Sequence, residues 1–420
     1  MKRFLSLALC AVLIFALGVS AFAVNAADYS NLPYQNYVYL GDSISWGYGL
    51  DPNMDSGDKF NVGTRVDGSF TDIVASVLEQ NNNAFVQPAA SSGSRLCDYR
   101  ILLERGMGVE NPYERVNDWY GNRHPERTEV IRAMGPDVCR WLGDADLVTL
   151  QVGINDLTAA LLNAASATGL VDMDKIQEIS LSDLSTVADY LQMVLQNLAK
   201  DPDVLGNLIR TFNSEISGIR ENAREVVKDV VQLAPDADIV IVGYHKAVQG
   251  MRILPGTDFS AIFDVVDTAL MSLNDYFDSV ASNYGNVYYV DAPDSSVFYP
   301  EGTKLTDALE NIKGFLLGIH PDAAGHAYIA DQVLNFLRDL NNCRHEHTHT
   351  VWHNFKLGFG CEYENAVVCD DCGAVVSYGR LITPDGSVTP AVHTAQNTIA
   401  TVNKNISAIF SHFNVFRAIK

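Results

Sequence analysis

The sequence predicts an α/β fold in which helices cover both faces of a mostly parallel β-sheet, followed by a small Cys/His-rich C-terminal module. From Tyr34 to Leu340, short β-branched runs alternate with longer segments of helical periodicity. Strands separated by helices form βαβ units, and such units build parallel sheets. The chain has 420 residues, of which 47% are hydrophobic and 19% charged, so it is long and apolar enough for a sizeable core.

Five strands and five helices are predicted in this region. The strands are residues 37–40, 84–87, 147–152, 239–243 and 287–290. The helices are residues 70–80, 181–198, 214–233, 261–284 and 323–340. In sheets of this kind the functional groups lie in the loops beyond the carboxyl ends of the strands. The long stretch between Leu157 and Pro235 predicts additional helices beside or over such a site.

The N-terminus predicts a bacterial-type secretory signal peptide over residues 1–27. A basic start, Met1-Lys2-Arg3, is followed by an apolar run to Val24 and by small residues. The run is long enough to span a bilayer, so a transmembrane anchor is the alternative. The small side chains in Val24-Asn25-Ala26 favour cleavage, and no later run approaches membrane length. We therefore expect a secreted, extracellular protein with no integral membrane span after the signal is removed.

The net charge of −22 limits the classes of partner. Binding to nucleic acid depends on clustered Lys and Arg side chains that neutralise phosphates. The same charge disfavours an anionic lipid surface as an electrostatic target. We therefore expect no nucleic-acid partner.

Four residues follow predicted strands or precede a predicted helix in positions that suit ester chemistry. Ser43, in Gly-Asp-Ser, lies at the end of the first strand, where its hydroxyl and neighbouring N–H groups face a cleft. Gly93 lets a backbone N–H approach a ligand closely, although an ordinary turn glycine explains it equally well. Asn155 can donate a hydrogen bond to a developing oxyanion, and His320 supplies a general base. Each signal is weak alone, and their combination is specific.

In this order the four residues resemble the motif blocks of the SGNH hydrolases, also called GDSL esterases and lipases. The resemblance covers residues 34–340 and implies a three-layer α/β/α domain, here assigned to residues 28–341, that hydrolyses esters through an acyl-enzyme. It implies Ser43 as nucleophile and His320 as general base and then acid. It also implies an oxyanion hole of the Ser43 and Gly93 N–H groups and the Asn155 side chain. No cofactor is expected for catalysis, and the substrate is a small ester, a lipid or an O-acetylated glycan.

One position departs from this family pattern, because Leu317 stands where the family places the Asp of Asp-x-x-His. That Asp normally orients the histidine and stabilises its imidazolium form. Three explanations remain open. In the first, a backbone carbonyl accepts the His320 Nδ1–H. In the second, the Asp291 carboxylate, after the fifth strand, accepts it instead. In the third, the scaffold is weakly active or inactive. Asp322 follows His320 across a proline and is poorly aimed.

Other polar and aromatic residues near these motifs are interpreted as structural. Asp42 and Asp156 are expected to accept local hydrogen bonds, and His245 and His326 to have packing roles. Trp46 and Tyr48 fit an acyl pocket or cleft-edge packing equally well. Among the cysteines that remain after export, Cys97 and Cys139 are predicted to form a disulfide that braces the cleft loops.

The C-terminal module is assigned to residues 342–376, and residues 377–420 form a tail that is partly helical. Its Cys-x-x-Cys-Gly turn is typical of half of a tetrahedral zinc site. The module resembles small zinc-ribbon-like units, which implies a structural zinc held by Cys343, Cys369, Cys372 and one histidine, His345 or His347. Two disulfides among these three cysteines and Cys361 are the alternative, since export permits them. Zinc of this kind has no catalytic role.

A second hypothesis comes from a different class of protein. If the missing acid at Leu317 marks a decayed site, the chain is a non-catalytic surface-binding protein, and the C-terminal module does the binding. Ester hydrolysis that depends on Ser43 separates the two hypotheses.

Overall fold

The computed structural model of the chain describes residues 26–50, 63–114, 125–172, 175, 193, 197, 203–245, 260–291, 320–357, 361–371, 375–377 and 380–382. Three predictions fall largely or wholly outside these residues. They are the signal peptide, the helix at 181–198 and the helical part of the tail. Leu317 and Cys372 also lie outside them.

Five parallel strands form the central sheet in the order β2-β1-β3-β4-β5. Their bounds are β1 Asn36–Gly41, β2 Phe85–Ala90, β3 Leu147–Gln151, β4 Asp238–Val242 and β5 Val287–Val290. All five predicted strands are therefore confirmed. β1 and β3 are buried almost throughout, as expected for inner strands that helices cover on both faces.

Eight helices are present in the described part of the chain. They are α1 Ser43–Trp46, α2 Phe70–Asn82, α3 Leu96–Gly106, α4 Pro125–Gly143, α5 Ile154–Ala167, α6 Val204–Leu233, α7 Ser260–Ala281 and α8 Ala323–Asn342. A 3₁₀ turn, Ala26–Tyr29, precedes β1. By their contacts, α2 and α8 form one set, while α3, α4, α5, α6 and α7 pack on one another. Two helical layers around a parallel sheet confirm the predicted three-layer α/β fold.

The sequence did not predict α3 and α4, it anticipated α5 only as an additional helix without bounds, and it placed the start of α6 ten residues late. Helix α4 contains Pro136 after Gly135, a pair that normally signals a helix break. Gly135 is needed because a Cβ there would lie 2.6 Å from the Leu102 carbonyl of α3. The early part of α6 holds Gly206, Asn207 and other weak helix formers, which hides its true start at Val204.

The predicted disulfide between Cys97 and Cys139 is wrong. Cys97 lies in the first turn of α3, whereas the Cys139 thiol donates to the Leu103 carbonyl at 3.6 Å and packs against Gly106 at the other end. Nine residues of helix separate Cys97 from Gly106, a rise of about 13 Å, which is too far for a bridge. Cys139 therefore carries a free thiol, and burial raises its pKa to about 11.

A second, antiparallel sheet follows α8 and confirms a separate C-terminal module. Its strands are β6 Thr348–Leu357, β7 Cys361–Cys369, β8 Val375–Ser377 and β9 Arg380–Ile382. β7 pairs with the other three strands. Because β9 belongs to this sheet, the module extends beyond residue 376, where the sequence placed its end. Among the described residues, no helix combines the length and apolar character that crossing a bilayer requires.

His326 joins α8 to α2 inside the main core, as the structural interpretation of this residue anticipated. Its Nδ1 accepts a hydrogen bond from the Phe70 N–H at 3.1 Å, and its ring stacks on the Phe70 ring at 6.4 Å. Burial, with smaller contributions from the neighbouring His320 and His245, lowers the pKa of His326 to about 3. The imidazole is therefore neutral in the folded protein at any pH near neutrality.

As the pH is lowered from 7 to 5, we expect the free energy of unfolding to decrease more steeply for the wild-type protein than for His326→Gln. Below a pKa of about 6.5 the unfolded chain binds a proton at His326, but the folded chain does not until about pH 3. Stability is therefore lost as pH falls through this window, by about 1.4 kcal/mol per pH unit from this group. Urea unfolding of both proteins between pH 7 and pH 5 measures the difference. Parallel pH dependences would contradict a neutral His326.

Candidate active site

Ser43 lies where β1 turns into α1, at the carboxyl end of the central sheet. Asp42 is the N-cap of α1, and its Oδ1 accepts the Ile44 N–H at 3.0 Å. The backbone of Asp42 is also held in place, because its N–H donates to the Gln151 carbonyl at the end of β3. The Ser43 side chain is only 6% exposed. These contacts give the serine hydroxyl a defined direction.

His320 meets Ser43 from the far end of the chain. Its Nε2 lies 2.8 Å from the Ser43 Oγ, which is hydrogen-bonding distance. His320 comes just before α8, whose N-cap Asp322 accepts the Gly325 N–H at 2.8 Å. Asp322 is therefore engaged as a helix cap, in agreement with the expectation that it is poorly aimed at His320. The structure thus brings together two of the four motif residues in direct contact.

Tyr48 is a site residue whose position the sequence left undecided. Its ring centroid lies 4.7 Å from that of His320, with the planes tilted by 45°. The Tyr48 N–H donates to the Ser43 carbonyl at 2.9 Å, so the same short turn holds both residues. Trp46 instead lies in the core with 3% exposure, which favours packing over a pocket role. The Gly-Tyr-Gly spacing after Ser43 was the available signal for Tyr48, since such a turn can return to the site.

Gly93 lies in the loop after β2, and Asn155 lies in the first turn of α5, just beyond the short loop after β3. The Asn155 Nδ2 donates to the Ser94 carbonyl at 3.0 Å and so ties the start of α5 to the residue after Gly93. Gly93 has a φ of 73°, in the left-handed region that favours glycine. The Ser91 N–H donates to the Gly41 carbonyl at 3.0 Å, which anchors the Gly93 loop to the end of β1. These segments are therefore cross-linked beside Ser43.

Two buried carboxylates flank the motif residues, as the sequence indicated. Asp156 accepts the Leu96 N–H at 2.8 Å and so caps the start of α3. Burial raises the pKa of Asp156 to about 7, against the opposing effect of the Arg95 guanidinium. Burial likewise raises the pKa of Asp42 to about 7, although its hydrogen bonds favour the charged form. Both act as acceptors that hold loops, and their surroundings disfavour charge.

His245 lies directly beyond β4 and is buried. Burial lowers its pKa to about 4, and the proximity of His320 contributes. Asp291, one of the candidates for the third member, is exposed just beyond the end of β5. Burial raises the pKa of Asp278 and of Tyr289, and the Asp291 carboxylate adds to both shifts. β5 is the edge strand three positions from β1, a displacement of about 14 Å at the usual strand spacing.

In the C-terminal module, Cys343, His345 and Cys369 place their ligand atoms within 4.8 Å of one another. The Cys343 and Cys369 sulfurs are 3.4 Å apart, well beyond the length of a disulfide bond. His347, the other candidate ligand, instead pairs its Nδ1 with Asp371 at 3.0 Å. His349 pairs with Asp370 in the same way. This group is able to hold a metal ion, and its histidine is His345.

The chain has weak similarity to several solved structures. Among solved structures, an extracellular lipase from Streptomyces rimosus has 18% identity and a TM-score of 0.39, covering 72% of this chain and 98% of its own. A phospholipase A1 from Streptomyces albidoflavus NA297 has 18% identity, a TM-score of 0.38 and the same coverage. At these values the likeness gives no information on substrate. No curated protein matches the chain.

The family comparison covers most of the main domain. The model of the GDSL-like lipases and acylhydrolases matches residues 37–333, which include all four motif residues from Ser43 to His320. This range is more than half of the 420-residue chain. The chain therefore belongs to the GDSL-like lipase/acylhydrolase family and is a carboxylic ester hydrolase.

Proposed function

We propose that the protein is a secreted serine esterase that cleaves acyl or acetyl esters through a covalent intermediate on Ser43. The observation that carries the proposal is the 2.8 Å approach of His320 Nε2 to the Ser43 Oγ. A serine hydroxyl is a weak nucleophile until an adjacent base accepts its proton. Secretion rests on the basic start and apolar run of residues 1–27.

In the first half-reaction, the Ser43 Oγ forms a bond to the ester carbonyl carbon while His320 Nε2 takes the hydroxyl proton. The carbonyl electron pair moves onto oxygen, and the resulting oxyanion is stabilised by the Ser43 and Gly93 N–H groups and by Asn155. The pair then returns, the bond to the alcohol oxygen breaks, and that oxygen takes the proton from His320. Burial of Ser43 strengthens these interactions, because few water molecules compete for the charge.

In the second half-reaction, water replaces the alcohol. His320 takes a proton from water as the water oxygen attacks the acyl carbon. The tetrahedral intermediate then collapses, the bond between the acyl carbon and the Ser43 Oγ breaks, and His320 returns the proton to that oxygen, which releases the acid and regenerates Ser43. The Tyr48 ring, 4.7 Å from the His320 ring, lies within range of a cation–π contact with the imidazolium that forms in both steps. Asn155 uses one amide hydrogen on Ser94, which leaves its second for the oxyanion.

We expect Ser43→Ala to reduce turnover of short nitrophenyl esters by at least about 10³-fold, because the covalent route is lost. Ser214→Ala, at an exposed serine of α6, is the matched control and keeps wild-type turnover. A panel of nitrophenyl acetate and butyrate, a lysophospholipid and an acetylated sugar ranks the substrates. If no member is hydrolysed, the proposal fails and the surface-binding hypothesis replaces it. If Ser43→Ala retains activity, the protein is an esterase whose nucleophile is not Ser43, and the proposal fails as well.

We propose that a backbone carbonyl accepts the His320 Nδ1–H in place of a carboxylate. The exposure of Asp291 and the position of β5 at the sheet edge support this over a role for Asp291. A carbonyl fixes the histidine tautomer without adding a charge to stabilise imidazolium.

Under this proposal, Asp291→Asn keeps kcat within about twofold of wild type, because no reacting group loses a charge partner. Asp275→Asn, at an exposed residue of α7, controls for general charge effects. Steady-state kinetics on nitrophenyl acetate provide the measurement. Neutralising the carboxylate of a catalytic triad lowers kcat roughly 10⁴-fold. A loss of that size in Asp291→Asn but not in Asp275→Asn would assign the third position of the triad to Asp291.

We further propose that Cys343, His345, Cys369 and Cys372 hold a structural zinc ion. Two of these cysteine sulfurs accept a hydrogen bond from the backbone N–H of the residue two positions further along the chain. The His345 N–H donates to the Cys343 sulfur and the Asp371 N–H to the Cys369 sulfur, both at 3.4 Å. Such hydrogen bonds favour the thiolate, which is the form that binds metal. Two thiolates on one tetrahedral zinc are separated by about 3.7 Å, close to the observed 3.4 Å. Cys343 ends α8, so zinc would fasten the module to that helix.

We expect purified full-length protein to contain one zinc per chain by elemental analysis. Cys369→Ser loses most of this metal, whereas Cys139→Ser, at a buried thiol of the main domain, retains it. Thiol titration before and after chelation gives an independent readout, since chelation exposes new reactive thiols. Absence of metal, together with thiols that appear only after reduction, would establish the disulfide alternative.

A further inference from the structure

Tyr244 contacts the residue that immediately precedes Ser43. It lies just beyond β4 and is 1% exposed, and its phenol O–H donates to the Asp42 Oδ2. The other oxygen of Asp42 accepts the Ile44 N–H at the start of α1. One carboxylate therefore connects the β4 loop to the helix that begins with Ser43.

Tyr244 is itself held on both sides of its backbone by a single buried amide. The Tyr244 N–H donates to the Asn274 Oδ1 at 3.0 Å, and the Asn274 Nδ2 donates to the Tyr244 carbonyl at 2.7 Å. Asn274 belongs to α7, which packs on β4. Because both backbone groups are fixed, the phenol has a defined direction toward Asp42.

The contact lies in surroundings that disfavour charge. Asp42 is buried, and the Tyr244 hydrogen bond is the largest of the effects that oppose the rise in its pKa. Burial raises the pKa of Tyr244 well above its usual value, the Asp42 carboxylate adds to this shift, and Asp156 contributes a little more. His245 follows Tyr244 in the chain, and His320 contacts Ser43. Without the Tyr244 O–H, one buried oxygen of Asp42 loses its hydrogen-bond donor. That loss costs free energy, which favours a shift of the carboxylate from its position.

We propose that Tyr244 is a positioning residue for the nucleophile. Through Asp42 it fixes the direction of the Ser43 N–H and Oγ relative to the incoming carbonyl and to His320. This inference rests on the proposed role of Ser43. Tyr244 touches neither substrate nor reacting atoms, so its effect is on the geometry of the transition state and not on substrate affinity.

The test compares Tyr244→Phe with Tyr34→Phe. Tyr34 offers a matched control because its O–H donates to the Asp238 Oδ2 at 2.6 Å, so it is also a buried tyrosine paired with an aspartate. Asp238 is the first residue of β4, whereas Tyr244 follows the last. Tyr34→Phe therefore removes the same kind of hydrogen bond at the opposite end of the strands. We expect Tyr244→Phe to lower kcat about 10- to 100-fold with KM within about twofold. Tyr34→Phe keeps the wild-type kcat, and both variants melt at a reduced temperature.

Asn274→Asp is a second variant in case Tyr244→Phe does not fold. It keeps the acceptor for the Tyr244 N–H but loses the donor to its carbonyl, and it lowers kcat in the same direction. The inference is overturned if Tyr244→Phe loses thermal stability like Tyr34→Phe while kcat is unchanged, or if the two variants lose kcat equally. If wild type and Ser43→Ala have equal turnover, the proposed function itself has failed, which is a separate outcome.

Discussion

The hydrogen bond between Ser43 and His320 joins side chains 277 residues apart in the chain, and much of the main domain serves to align them. In the parallel register, Gly41 lies opposite Ala90 of β2 and Gln151 of β3, so three strands end at the same level. The segments that follow carry Ser43 at the start of α1, Gly93 in a loop and Asn155 at the start of α5, and hydrogen bonds hold these segments together. His320 is supplied separately, by the segment that leads into α8.

Burial imposes a second constraint on this region. It raises the pKa of Asp42 and Asp156 to about 7 and lowers that of His245 and His326 to about 4 and about 3. Carboxylates and imidazoles shift in opposite directions, but both shifts favour the neutral form. A site of this kind makes each fixed N–H donor more effective toward an oxyanion than the same donor in water. Precise placement of a few hydrogen bonds therefore matters more here than net charge.

The sequence predicted the features that depend on local patterns. All five central strands were predicted because buried β-branched runs are short and distinct, and the four motif residues followed from their places around those strands. Apart from the Ser43–His320 pair, which the family resemblance implied, contacts distant in sequence were not predictable. Cys139 meets the far end of α3 because Gly106 and Gly135 let two helices approach closely, and that contact excluded the expected disulfide. The Gly-Tyr-Gly spacing hinted that Tyr48 returns to the site, but neither its contact with the His320 ring nor the hydrogen bond from Tyr244 to Asp42 follows from spacing alone.

We propose that His320 activates Ser43 for covalent attack. Peptide mass spectrometry after reaction with an alkyl nitrophenyl phosphonate, which traps an activated serine, tests this proposal directly. We expect one phosphonyl adduct per chain, on the peptide that contains Ser43, and its loss in His320→Ala. An adduct on a different serine, or no adduct in protein that hydrolyses esters, would contradict it.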